Sequence, residues 1–332
     1  LILKSLCVGQ KMQKRIRVNQ LRVGMYVEDV EIGGKAGAQR FTPFLISSPS
    51  QVERMMASHV MTVVIDIVKG VDIHPSTRFL AASGRAGFDA KLLAMFAASD
   101  IRQARQCIEE TKPHIRRVLA DARIKASFDS EAASSAVERI MSTAFNNAGA
   151  LIAVAKLKEK DEVTFLHSLA VSALMITFGR FLGHREEDVR VFGLGGLVHD
   201  LGKMALPDAI LTKSGKLTAE EMDLVRRHPQ LGYELVSSVE HTPREVLDIC
   251  RYHHEKYDGT GYLGRLAGKT IPYSARIAAI CDVYDALTTI RPYKQAFSQA
   301  EAINMMMTSP GHFDSHLLSA FVSKMVIGGP LR

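Results

Sequence analysis

Apolar positions change their rhythm along this chain. From Ile16 to about Ile73 they come in short runs, Ile16 to Val18, Met25 to Val30 before Gly33-Gly34, and Val60 to Val68 before Gly70, which predict strands, with a short helix near Ser50 to Ala57. Between Pro75 and Phe88 the residues are small and polar and read as a flexible joint. Beyond it the spacing is helical, predicting helices over Ala90 to Ala122, Ser130 to Leu157, Thr164 to Leu182, Glu186 to Leu201, Ala219 to His228, Pro243 to His254 and Pro272 to Thr289. Local signals agree: Thr218-Ala219-Glu220-Glu221 is a capping box, and Pro243 and Pro272 stand where first-turn prolines are tolerated. The expected fold is mainly α, with a small N-terminal mixed α/β domain over 12–75, a linker with helices over 76–145, and a helical bundle over 146–332. Leu1 to Lys11 precede the first regular pattern and are assigned to no element.

Composition narrows the class. With 332 residues, 47% hydrophobic and 23% charged, the chain is globular and long enough for one large or two ordinary domains. The longest apolar runs, Ala148 to Ala155 and Leu169 to Ile176, are too short to span a membrane, so a soluble protein is expected. The basic cluster Lys11, Lys14, Arg15 and Arg17 follows the apolar first residues instead of preceding them, which does not read as a secretion signal. Cys7, Cys107, Cys250 and Cys281 form no CxxC pair, which argues against a disulfide framework and a thiolate zinc site and for a reduced, cytoplasmic compartment. The formal charge of +7 contains only doublets such as Arg116-Arg117 and Arg226-Arg227, so an anionic small molecule is a better expectation than nucleic acid or a membrane surface.

The chemistry gathers around Val198-His199-Asp200-Leu201-Gly202-Lys203. Alone, this is equally a helix C-terminus closed by Gly202 with Lys203 near the negative end of the dipole. His167, His228, His253, His254 and Asp282 change that balance, because most of these residues fall at predicted helix ends, where helices of a bundle can converge. Five imidazoles and two carboxylates are too many for one ion and suit two, with Asp200 bridging. One ion would take His167, His199, Asp200 and Asp282, and the other Asp200, His228, His253 and His254. Such nitrogen-rich sites suit iron, manganese, zinc, nickel or cobalt over magnesium or calcium. Two such ions close together lower the pKa of a bridging water and neutralise phosphoryl charge, a phosphoester-cleaving device. His59, His74, His114, His184, His241, His312 and His316 are assigned to surface or core.

From about Asn147 onward the chain resembles the HD-GYP family of HD metal-dependent phosphohydrolases. The resemblance rests on His167-Ser168, His199-Asp200-Leu201-Gly202-Lys203, His228-Pro229 with Gly232, His253-His254-Glu255, Asp258-Gly259-Thr260-Gly261-Tyr262, and Asp282-Val283-Tyr284-Asp285-Ala286-Leu287 followed by Arg291-Pro292-Tyr293-Lys294. Leu21 to Val27 and Val64-Ile65-Asp66 look like the small uncharacterised domain that often precedes it. The resemblance implies an HD-type helical bundle and a phosphodiesterase that opens cyclic di-GMP to linear pGpG, leaving open whether cleavage continues to GMP, with two divalent ions, iron first among the candidates. It implies that Lys203 adds positive charge near the scissile phosphate, that Tyr262 meets the substrate, and that Arg291 and Lys294 meet its phosphates; the plain alternatives are a solvated helix-end cation for Lys203 and ordinary salt bridges for Arg291 and Lys294. Asp285 shares a face with Asp282 in a structural or catalytic role, while Glu255 and Asp258 orient imidazoles or the following loop.

Two departures stand out. Leu263 replaces the proline of the Gly-Tyr-Pro signature, loosening that loop and its partner recognition. Val163 stands where three-metal members place a glutamate, and the adjacent Glu162 points about 100° away on a helix, so two metals are expected. Expected partners besides cyclic di-GMP are a diguanylate cyclase or other signalling protein and a second copy of the chain, through the helices between Ala90 and Leu157. Alternative readings are a metal-retaining regulator that binds cyclic di-GMP or a protein with little turnover, and a phosphodiesterase for another cyclic dinucleotide such as mixed cyclic GMP-AMP.

Overall fold

The structure, a computed structural model, describes residues 13–18, 21, 23–32, 35–36, 42–56, 58, 60–66, 69, 88–90, 92–156, 163–213, 215–289 and 297–331. The predicted joint before Phe88 lies outside them. The chain divides into two compact units, Leu1–Phe88 and Asp89–Arg332.

In the first unit, β1 (Gln13–Arg17), β2 (Tyr26–Ile32), β3 (Lys35–Ala36), β4 (Phe44–Leu45) and β5 (Val60–Asp66) build an antiparallel sheet in the order β1-β5-β2-β3, with β4 also paired to β2. Val63 and Ile65 of β5 are fully buried while Val64 between them is not, the two-residue period of a sheet with one covered face. The helix α1 (Pro49–Met56) packs Val52 and Met55 against this core, beside Met25, Val27 and Ile46. The two-residue strands β3 and β4 were not among the expected elements, being too short to leave a visible alternation.

The second unit is helical. Its first long element, α2 (Ala98–Lys125), is expected to begin at Ala90, but the extended backbone of Ala97 separates it from the helical residues 88–90 and 92–95 before it. Ile101, Ala104, Ile108, Ile115, Val118 and Ala122 form its buried stripe, which packs on α3 (Ser130–Ala155). Asp129 caps α3 by accepting the Ala132 N–H at 2.9 Å. A kink at Asn147 divides α3, and the Asn147 side chain accepts the Ala150 N–H at 2.9 Å, capping the second half.

α4 (Val163–Leu182) is apolar around nearly its whole circumference and runs through the middle of the bundle, packed on α3, on α5 (Glu186–Val198) and on a later helix, Tyr273–Thr288. Its stretch Thr164–Leu182 is long and apolar enough to cross a membrane by length and composition, but 83% of its apolar window is buried inside the protein, as in a core helix. A 3-10 turn (Leu201–Ala205), the short helix α6 (Asp208–Leu211), α7 (Ala219–Val225), α8 (His228–Ser237) and α9 (Arg244–Tyr252) follow. The capping box at Thr218 and Glu221 forms as expected, whereas Pro243 and Pro272 stand just before the first helical residue and not inside the first turn. Last come α10 (Tyr273–Thr288), α11 (Gln299–Met307) and α12 (Ser315–Phe321).

Of the boundaries that differ from expectation, two matter most for the site. The Glu186 helix stops at Val198, leaving His199 as its cap and Asp200 in the turn. The Ala219 helix stops at Val225, so His228 opens α8 instead of closing α7, with Pro229 in the first turn where its missing N–H costs nothing. These breaks bring five segments to one point.

Candidate metal centre

His167 projects from α4, His199 and Asp200 from the end of α5, His228 from the start of α8, His253 and His254 from the end of α9, and Asp282 from α10. All but the partly exposed His254 are buried. They converge in two groups, Asp200 with His228, His253 and His254, and His167 with His199 and Asp282; within each group, candidate ligand atoms lie within 4.8 Å of one another.

Asp200 straddles the two. Its Oδ1 lies 3.1 Å from His228 Nε2 and 3.8 Å from His253 Nε2, and its Oδ2 lies 3.5 Å from both His167 Nε2 and His199 Nε2. Asp282 Oδ1 is 3.1 Å from His167 Nε2 and 3.8 Å from His199 Nε2.

The backbone decides which nitrogen of each imidazole carries its proton. His199 Nδ1 donates to Gly196 O at 2.8 Å, His228 Nδ1 to Val225 O at 2.7 Å, and His253 Nδ1 to Ile249 O at 3.0 Å. A carbonyl can only accept, so these Nδ1 atoms hold the hydrogens and the Nε2 lone pairs point inward. Carbonyls near the ends of α5, α7 and α9 accept these protons, that of Ile249 shared with the His253 N–H. The consequence is a pocket of acceptors: His228 Nε2 and His253 Nε2 face each other at 3.3 Å, and His199 Nε2 and Asp200 Oδ1 are buried with no hydrogen-bond partner among the described residues. Inward lone pairs, with His167, His199, His228 and His253 each braced from behind, fit divalent cations.

Electrostatics agrees. Burial pushes His254 down to about 4 and His253 well below the usual histidine range, aided by neighbouring imidazoles, so both are neutral donors near pH 7. Burial would raise Asp200 and Asp282, but Lys203 and His199 beside the first, and His167 and His199 beside the second, hold both well below the usual carboxylate range. Burial alone would lower His167, yet Asp200, Asp282 and Asp285 outweigh it and raise His167 to about 10, a measure of how strongly this corner favours positive charge.

Around the cluster, Lys203 Nζ lies 2.5 Å from Asp200 Oδ2. Asp285 takes the supporting role, accepting the Nδ1–H of His167 at 2.7 Å. Glu255 organises the following loop, its carboxylate accepting the N–H of Gly264 at 2.5 Å and of Leu266 at 3.2 Å. Asp258 shapes the same loop through Thr260. Tyr262 stacks on His254, centroids 4.8 Å apart and planes inclined by 23°. A Cβ on Gly261 would approach Lys256 N to 2.3 Å, so only glycine lets the loop fold this closely onto the His254-Glu255 segment. Gly202 is tighter still: its Cβ would approach His228 O to 2.0 Å and Gly232 N to 2.3 Å. Glycine there lets the Asp200 turn press against the start of α8.

Arg291 and Lys294, expected at the substrate phosphates, lie outside the described residues, as do Glu162 and the side chain of Val163. Sequence reading missed Arg123 of α2, whose guanidinium reaches the turn carrying Lys203; no local pattern signals a contact across some eighty residues.

Comparison with known proteins follows the same lines. A family profile described as HD domain matches residues 139–317, and one described as a domain of unknown function (DUF3391) matches residues 13–133. A cyclic di-GMP phosphodiesterase of Pseudomonas aeruginosa is 40% identical over 327 residues, covering 95% of this chain and 77% of the relative. The chain belongs to the HD domain family, in its HD-GYP branch. Other HD relatives match over shorter stretches: a cyclic di-GMP phosphodiesterase response regulator of Xanthomonas campestris pv. campestris, 43% identical over 42% of this chain and 38% of its own length, and 3'3'-cGAMP-specific phosphodiesterase 1 of Vibrio cholerae, 37% identical over 56% and 42%. The solved structure of a Bdellovibrio bacteriovorus protein described as HDG"Y"P shares the fold, with a TM-score of 0.57 at 20% identity over 96% of this chain and 100% of that one.

Proposed function

We propose that this HD-GYP protein is a metal-dependent phosphodiesterase that opens cyclic di-GMP to linear pGpG. The observation that carries the reading is the convergence of inward Nε2 lone pairs on the two oxygens of Asp200. His167, His199, Asp200 and Asp282 would hold one divalent cation, and Asp200, His228, His253 and His254 the other, with iron first and manganese, nickel, zinc or cobalt also accommodated. Such cations, when bound, supply Lewis-acid activation of water and neutralise phosphoryl charge.

The chain's own groups account for the rest. Helix-end carbonyls keep the proton of His199, His228 and His253 on Nδ1. Lys203 places positive charge where negative charge develops on the phosphoryl oxygens and on the departing ribose 3′-oxygen. Hydrolysis joins a water oxygen to phosphorus and breaks the bond from phosphorus to that 3′-oxygen, which leaves carrying a proton. Tyr262 offers an aromatic face to a guanine base, and Arg291 and Lys294 remain the proposed contacts to the phosphates. Buried free thiols at Cys107, Cys250 and Cys281 support a reduced, cytoplasmic setting.

A second reading, hydrolysis of 3'3'-cGAMP, is favoured by the relatives that carry that specificity in their names. Chromatography of products from each cyclic dinucleotide, with metal-loaded protein, tests the choice. Preferential conversion of cyclic di-GMP to a linear product supports the first reading, and preference for the mixed dinucleotide moves the assignment to the second. Absence of turnover at full metal loading favours the regulator that binds without cleaving.

A further inference from the structure

The turn that carries Lys203 is held from outside the span matched by the HD profile. Leu201–Ala205 is a single 3-10 turn, begun by Lys203 N–H donating to Asp200 O at 2.9 Å and closed by Leu206 N–H donating to Lys203 O at 3.0 Å. So short an element leaves its last carbonyls without partners of their own. Arg123, in the last turn of α2, supplies them: its Nη1 donates to Met204 O at 2.7 Å and to Leu206 O at 2.5 Å, and its Nη2 pairs with the Asp208 carboxylate. One planar guanidinium thus fixes three points within five residues, a geometry that lysine, a single point charge, does not reproduce.

We infer that Arg123 is a positioning residue for Lys203, and that through it α2 sets the reactivity of the metal centre. Lys203 lies one residue before the carbonyl of Met204, and its ammonium reaches the Asp200 carboxylate that straddles the two ligand groups. Buried Leu201 and Leu206 anchor the ends of the turn, but apolar contacts are non-directional and do not fix its rotation. Hydrogen bonds to the carbonyls of Met204 and Leu206 do. Arg123 belongs to the stretch matched by the domain of unknown function, residues 13–133, and not to the HD match, residues 139–317. A shift or rotation of α2 therefore withdraws the clamp and frees Lys203 without touching a ligand.

The inference rests on the phosphodiesterase reading for its kinetic arm, and a second arm is independent of turnover. Full-length wild type is compared with Arg123→Ala, Arg123→Lys, Lys203→Ala, the Arg123→Ala/Lys203→Ala double variant, and Arg190→Ala, which removes an exposed pair with Glu138 as a control. Backbone hydrogen exchange in metal-loaded protein should accelerate across residues 201–208 in Arg123→Ala, and remain unchanged there in Arg190→Ala and across α4 in every variant. Turnover of cyclic di-GMP should fall about 10- to 100-fold in kcat in Arg123→Ala with KM and metal content kept, since a small misplacement of a reacting group costs that much. Arg123→Lys should recover only part of it. In the Lys203→Ala background, Arg123→Ala should add little, because a residue acting through Lys203 has nothing left to position. Unchanged exchange at 201–208, a uniform increase through the bundle, or full additivity with Lys203→Ala overturns the inference. Absence of turnover in wild type instead removes the phosphodiesterase reading and leaves the exchange arm to decide the clamp.

Discussion

Asp282 and Asp285, one helical turn apart on α10, grip opposite edges of the same imidazole: Asp282 Oδ1 lies 3.1 Å from His167 Nε2, and Asp285 Oδ2 lies 2.7 Å from His167 Nδ1. The helix thus supplies both a candidate ligand and the group that fixes its partner's tautomer. Asp285→Ala removes the brace and leaves every ligand in place, so it should weaken metal affinity about 10- to 100-fold, as lost outer partners of ligating histidines do. Chelator competition checks this, and affinity equal to wild type would count against the assigned role.

Gly202→Ala should be among the most damaging single-methyl changes in the chain. The new carbon would approach backbone atoms, His228 O at 2.0 Å and Gly232 N at 2.3 Å, and backbone cannot rotate away. Overpacking of this kind costs roughly 1–3 kcal/mol or more. A lowered melting temperature together with reduced metal content is expected, since the displaced turn carries Asp200.

Glu255→Gln keeps the size of the side chain but replaces one of the two oxygens that accept from Gly264 and Leu266. The loop bearing Tyr262 should loosen, raising KM for the cyclic dinucleotide several-fold while metal stoichiometry stays as in wild type. Loss of metal would instead tie Glu255 to the ligands themselves.

Acid stability has an identifiable contributor away from the centre. Burial would raise Asp314, but Arg276 at 2.6 Å and the N–H groups of Leu317 and His316 outweigh it and hold the carboxyl below its ordinary value. A depressed folded pKa gives stability that is present above the unfolded value, about 3.9, and lost as pH falls through the lower folded value. Asp314→Ala should therefore cost about 2 kcal/mol at neutral pH, through the cap and the buried pair, and the gap to wild type should close in strong acid. Denaturant unfolding at a series of pH values measures it.

Much of this was legible in the sequence, for physical reasons that differ from residue to residue. Helical spacing revealed α4 and α10 because long buried faces repeat, and the candidate residues that converge could be picked out because imidazole and carboxylate side chains are scarce enough for their order to carry information. The boundary before His228 was not legible, since Arg226 and Arg227 continue a helical pattern and only the packing of α8 against the Asp200 turn separates the two helices. The tautomers depend on carbonyls of Gly196, Val225 and Ile249, which backbone geometry supplies irrespective of side chain. Arg123 could not be singled out because its partners are main-chain oxygens distant in sequence.

Bound metal is to be counted and cyclic di-GMP followed in the same preparations of wild type and Asp200→Ala, purified without oxygen and loaded with Fe(II) or Mn(II). Asp200 straddles both candidate ligand groups, so about two metals per chain and linear product are expected for wild type, and loss of both metal and product in the variant. Full turnover by Asp200→Ala, or a wild type that holds its metals and leaves cyclic di-GMP intact, would contradict the metal-dependent phosphodiesterase reading.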